Sequence, residues 1–144
     1  MIVPAMTLAE LRKEVFKDLE IVCRKAKYTA HEVYKAYKPI RDKKIVRFFD
    51  YLSKYKNRWI FRIEMTKHET LYEYLTYFHG RRGFSAIIPM RDNNKQALVY
   101  FTAHFFERYN ERGHFNLHSI KEIIQLFMNR NVTLKRRDVI NLLF

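Results

Sequence analysis

Apolar positions in the first part of the chain recur at helical steps. Leu8, Leu11, Val15, Leu19, Val22 and Ala26 lie three and four residues apart, with Arg12, Lys13, Lys17, Arg24 and Lys25 off that face. Thr7 and Glu10 stand ahead of the stripe at capping-box spacing, which predicts a helix start there. Thr29 and Glu32 repeat the spacing before Val33, Tyr34 and Tyr37. This predicts a second, short helix that Pro39 ends, because proline lacks an N–H and restricts its predecessor. Asp42 is placed to cap a third helix over Ile45, Phe48, Phe49, Leu52 and Tyr55.

The period then changes. Trp59, Phe61, Ile63 and Met65 alternate with Ile60, Arg62, Glu64 and Thr66, a strand whose second face is polar only over its last three positions and so is covered at one end. The β-prone runs Leu71–Phe78, 83–90 and 96–102 follow, joined by Gly80-Arg81-Arg82-Gly83 and by Arg91-Asp92-Asn93-Asn94-Lys95. Short turn-rich links between such runs read as an antiparallel meander. Pro89 cannot donate to a ladder and belongs at an edge or a bulge. Helical period returns over Ala103–Arg112, closed by Gly113. Ser119 and Glu122 open a helix over Ile120–Arg130 with Ile123, Ile124 and Phe127 inward, and a last short helix is expected in 131–144. The expectation is a single α+β domain over 1–144: N-terminal helices in 7–55, a three- to four-stranded antiparallel meander in 58–102, and C-terminal helices in 103–144.

Composition narrows the class. Of 144 residues, 48% are apolar and 16% aromatic, with 12 Phe and 10 Tyr, so the chain can build a core and disorder is excluded. One cysteine rules out an internal disulfide framework and a Cys-rich zinc site, and three glycines rule out Gly-rich architectures. The net charge is +13, and basic residues exceed acidic ones in each of 1–56, 57–103 and 104–144. Such a surface draws polyanions through phosphate neutralisation and counterion release, or merely keeps a domain soluble. The N-terminal stretch lacks the basic start and apolar run of a secretory signal. No apolar run approaches the ~18 residues of a membrane span. A cytoplasmic protein with no membrane partner is expected, and Cys23 fits a reducing compartment. The apolar C-terminus reads either as a packed helix or as the point where a longer protein was cut.

The most informative segment is Thr102–Gly113. At about 100° per residue, His104, Arg108 and Arg112 fall on one narrow stripe, with Phe105, Phe106 and Tyr109 beside it toward the core and Glu107 and Glu111 on the other side. A cationic row at the boundary of core and solvent is part-fixed by packing and still open to a ligand. Arginine forks pair with phosphate oxygens, and histidine exchanges protons near neutral pH. The competing reading has His104 as a local cap or a hydrogen-bond partner of a neighbouring strand, and Arg108 and Arg112 as structural partners of Glu111, Glu107 or Glu64.

The pattern Thr-x-His-x3-Arg-x3-Arg-Gly, following a strand and preceding an amphipathic helix, resembles the signature of a small bacterial domain family of unknown function. The signature positions of that family map to His104, Arg108 and Arg112, over roughly Leu98–Asn131. The family is in turn distantly similar to BrnT- and RelE/HigB-type toxin ribonucleases, small basic α+β domains with helices ahead of an antiparallel sheet. The resemblance implies RNA as substrate class and a small acidic antitoxin-like protein as partner.

Other candidates come from the residues themselves. Arg81 and Arg82, on a Gly-flanked turn after His79, are phosphate-binding candidates alongside the turn's N–H groups; a solvated turn is the alternative. His114 and His118 have metal-ligand spacing but no third ligand, so neither a metal nor a cofactor is expected. Lys135-Arg136-Arg137 reads as a solvated helix face or a phosphate contact. Tyr72, Tyr74, Tyr77, Phe78 and Tyr100 are either stacking surfaces for unpaired bases or sheet core. Cys23, on the apolar helix, reads as a buried inert thiol. The sequence carries no Ser-His-Asp arrangement, phosphate-binding loop or dinucleotide fingerprint. The expectation is an RNA-interacting basic domain, extending to a metal-independent toxin-type ribonuclease in which His104 is general base or acid, Arg108 and Arg112 stabilise the phosphorane, and Arg81 and Arg82 position the backbone. The alternative is a non-catalytic module that binds an acidic protein or DNA.

Overall fold

Thr7 caps the first helix as its spacing predicts: its Oγ1 accepts the Glu10 N–H at 3.2 Å, and its hydroxyl donates to the Glu10 carboxylate at 3.1 Å. From that cap α1 runs Leu8–Tyr37 in a computed structural model that describes residues 1–40, 42–92, 95–115, 117 and 119–130. The helix is continuous through Thr29. The Thr29 hydroxyl donates to the Lys25 carbonyl at 2.9 Å, one turn back, and so does not open a second helix. Lys38 caps the end of α1, and Pro39 sits in the 3-10 turn Lys38–Ile40 that follows.

The third expected helix is a strand, so the helical region ends near residue 40 and not at 55. β1, Ile45–Leu52, pairs antiparallel with β2, Arg58–Met65, from Ile45↔Met65 to Leu52↔Arg58. Of the five positions that matched a helical step, Ile45, Phe48, Phe49 and Leu52 are β-branched, aromatic or leucine residues whose backbone the eight-residue ladder satisfies, and Tyr55 falls in the turn after it. The connecting turn closes with Ser53 and Lys56 hydrogen bonds, with Lys56 at φ 64. β3 (Thr70–Gly80), β4 (Gly83–Asp92) and β5 (Lys95–Phe101) continue the meander, giving five strands in the order β1-β2-β3-β4-β5 against the three to four expected. β4 pairs with β3 only as far as Ile87 but with β5 through Asp92. Pro89 therefore lies beyond the last β3 partner, where its missing N–H breaks no β3 ladder. α2 (Ala103–Arg112) and α3 (Ile120–Arg130) complete the described chain.

Both sheet faces are covered. Trp59, Phe61, Ile63 and Ile87 pack under the α1 stripe of Val15, Leu19, Val22 and Ala26. The opposite face, with Ile60, Leu75, Val99 and Phe101, packs under Phe106, Ile124, Phe127 and Met128. Helices therefore cover β2 on both faces, and even Arg62 is only 3% exposed. Asp18 of α1, fully buried, accepts hydrogen bonds from Trp59 Nε1 at 2.7 Å and Asn57 Nδ2 at 3.3 Å, which pins α1 to the sheet. Among the described residues no helix is long and apolar enough to cross a membrane.

Candidate functional site

The antiparallel pairing of β4 and β5 brings the start of β4 beside the end of β5, at Ala86↔Phe101. The two residues that precede β4 are Arg81 and Arg82, and two residues after β5 comes Ala103, the first of α2. Gly80↔Gly83 closes a two-residue turn that leaves both arginines exposed. Gly83 adopts φ 129, a conformation that favours glycine, and a side chain there would reach the Ala103 Cβ at 3.5 Å. The hairpin tip thus rests against the head of α2.

Thr102 caps α2, its Oγ1 accepting the Phe105 N–H at 3.2 Å, so His104 is not the cap. The His104 side chain is 64% exposed, with Nδ1 3.9 Å from Glu107 Oε2. Phe106 is buried, while Phe105 and Tyr109 are half-buried. Arg108 and Arg112 are exposed, and among the described residues neither forms an ion pair. Glu64 is engaged elsewhere, by Arg62 at 2.8 Å and Lys44 at 3.3 Å.

Two adjoining hollows gather these side chains. The larger, of about 770 Å³, is lined by Arg81, Arg82 and His104 together with Phe78, Ser85 and Tyr100. The smaller, of about 550 Å³, follows α2 and is lined by His104, Arg108, Arg112, Tyr109, Phe115 and Arg130. Thr102 and His104 line both, and among the described residues no carboxylate lines either. All five residues singled out in the sequence therefore border one concave basic region, with His104 where its two parts meet. Arg130, at the end of α3, joins them, its guanidinium 4.9 Å from the Phe115 ring centre. Nothing in its sequence surroundings marks it, because the packing of α3 against the sheet is what brings it to α2.

Gly113 ends α2, but not through a left-handed conformation: it sits at φ −81, and His114 takes the positive φ of 53. Glycine is needed because a Cβ would overlap the Phe115 ring, which packs over the helix end and lines the smaller hollow. The Tyr109 hydroxyl is buried without a hydrogen-bond partner among the described residues. Burial holds its pKa above the ordinary phenol value of 10.0, against the opposing charge of Arg130.

The remaining candidates divide. Tyr72, Tyr74 and Phe78 pack against the α1 core and Tyr77 against the opposite one, while Tyr100 is 37% exposed. Cys23 is half-buried, not buried, with its Sγ 4.0 Å from the Tyr72 hydroxyl oxygen. His114 is exposed, and His118 lies outside the described residues, as do Lys135, Arg136 and Arg137. Among the described residues no group of three potential metal ligands occurs.

Comparison with protein families, curated proteins and solved structures finds no match for this chain.

Proposed function

We propose that this chain is an RNA-interacting domain and that the paired hollows around His104 are its contact surface. One observation carries the reading: Arg81, Arg82, Arg108, Arg112 and Arg130 border two adjoining hollows that no carboxylate lines among the described residues. Guanidinium groups held apart from acidic partners keep their donors for phosphate oxygens, and bidentate geometry suits successive phosphates of a backbone. Their charge also steers and holds a polyanion through counterion release.

The catalytic form of this reading is metal-independent RNA cleavage. The Nδ1 side of His104 faces Glu107, which leaves Nε2 for proton exchange. As general base, Nε2 takes the proton of a ribose 2′-OH while that oxygen attacks the adjacent phosphorus. The 5′-oxygen departs and takes a proton back, which leaves a 2′,3′-cyclic phosphate. Arg108 and Arg112 neutralise the phosphorane charge as it develops, and Arg81 and Arg82 hold the flanking backbone. The alternative is a module that binds an acidic protein or DNA on the same cations without cleaving anything.

Incubating purified protein with mixed RNA in the presence of chelator, beside a His104→Ala variant, separates these. Cleavage to cyclic-phosphate ends by wild type, reduced by about 100-fold or more in the variant, is the expected outcome. Equal cleavage by both, or none by either, would remove the catalytic form. DNA or an acidic peptide that displaces RNA completely at equal charge would favour the alternative.

A further inference from the structure

The larger hollow contains more than cations. Phe78 of β3 and Tyr100 of β5 lie in it with ring centres 6.2 Å apart and planes tilted by 56°. Both belong to the sheet face that α1 covers farther along, but no α1 residue lines the hollow; Pro4 and Ala5 do. Tyr100 is therefore left 37% exposed beside Arg81, Arg82 and His104, whereas Tyr51, Tyr72 and Tyr74 are half-buried against the α1 core and Tyr77 is buried. A surface that only neutralises phosphates does not require an exposed ring inside a concavity. The hollow's volume of about 770 Å³ falls within the range of roughly 300–1,000 Å³ typical of sites that enclose a small ligand.

We infer that this hollow takes one unpaired nucleobase of a single-stranded RNA, stacked on Tyr100, with the adjacent phosphate on Arg81 and Arg82. The inference rests on the RNA reading above and narrows it to single strands. In an A-form duplex the base faces are occupied by their neighbours and the major groove is too narrow for side chains. A ring recessed in a hollow reaches a base face only when that base is splayed out. The π-face of any base suffices, so the pocket tolerates sequence while it selects for strandedness.

The test uses the full chain, a mixed-sequence single-stranded RNA of about 12 nucleotides with 2-aminopurine at internal positions, and the duplex of the same sequence. At equal salt the single strand should bind at least about 10-fold more tightly than the duplex, with 2-aminopurine fluorescence quenched on binding. Tyr100→Leu should lose about 5- to 100-fold in affinity and abolish the quench, the range that stacking contributes per base. Tyr100→Phe should retain both. Arg81→Gln should weaken binding and lower the salt slope while keeping the quench. Wild-type-like binding by Tyr100→Leu, or duplex bound as tightly as single strand, would overturn the base pocket and leave the basic surface standing. No RNA binding even at low salt would overturn both together.

Discussion

The Tyr109 ring stacks on Phe105 at 6.0 Å and meets Phe127 nearly edge-on at 5.9 Å, so α2 is held to α3 partly through this one side chain. Its hydroxyl contributes no hydrogen bond among the described residues. A buried, unsatisfied hydroxyl costs about 1–3 kcal/mol relative to one that is paired. Tyr109→Phe is therefore expected to be neutral or to stabilise by up to about 1 kcal/mol, read as a higher urea midpoint at unchanged m-value. A loss of more than about 1 kcal/mol would mean that the hydroxyl bonds outside the described residues. At this scale His104, Arg108 and Arg112 were legible because a stripe at 100° per residue needs only helix geometry. Gly113 was legible as a helix end but not for its reason, since the Phe115 ring that excludes a Cβ is placed by tertiary packing.

Between elements, Arg62 has the widest reach. From the middle of β2 its Nε donates to Asn129 Oδ1 of α3 at 2.8 Å, while its other nitrogens approach Glu64 at 2.8 Å and Glu73 of β3 at 3.8 Å. Removing a buried charge from such a cluster strands its partners. Arg62→Ala should cost about 3–5 kcal/mol in denaturant unfolding, and Arg62→Met distinctly less, because it keeps the packing volume. Burial alone would raise the Glu64 pKa, but hydrogen bonds from Arg62 and Lys44 outweigh it and hold the carboxyl below its ordinary 4.5. A carboxylate lowered on folding contributes stability that is complete above pH 4.5 and lost as pH falls through the folded value. Glu64→Gln should thus be less stable than wild type by about 1 kcal/mol at neutral pH, with the gap closing in titrations below pH 4.5. A gap that widens toward acid would contradict this sign. The same strand shows where reading by element reached its limit. β2 alternates well enough to be recognised, yet Ile45, Phe48, Phe49 and Leu52 follow the helical step and divide between both faces of the strand, so only the partner strand decided for β1.

Across the whole molecule the +13 charge is spread, but the five arginines around His104 are concentrated along two adjoining hollows. If each meets one phosphate of a single strand, log K against log salt should fall with a slope of about −3 to −4. Replacing Arg108 and Arg112 together by Gln should reduce that slope by roughly 1.4. Both side chains are exposed and without ion pairs among the described residues. The double variant should accordingly melt within about 1 kcal/mol of wild type. An unchanged slope, or a collapse in stability, would assign these arginines a structural role instead.

Local rules applied to the chain were enough to establish the α+β class, the Thr7 cap, the four strand-forming runs after residue 57 and the stripe on α2. Each depends on side-chain period, on a cap within three residues, or on turn residues beside the element they end. Tertiary structure decided the rest. It turned 45–52 into an edge strand by offering β2 as a partner, continued α1 through Thr29, and buried Arg62 in the middle of β2. It also brought Arg81, Arg82 and Arg130 to His104, across distances in sequence that no local pattern spans. Packing of α3 against the sheet did this for Arg130, and antiparallel pairing did it for Arg81 and Arg82: the end of β5 must lie beside the start of β4, so the hairpin turn and the head of α2 meet at one corner of the sheet.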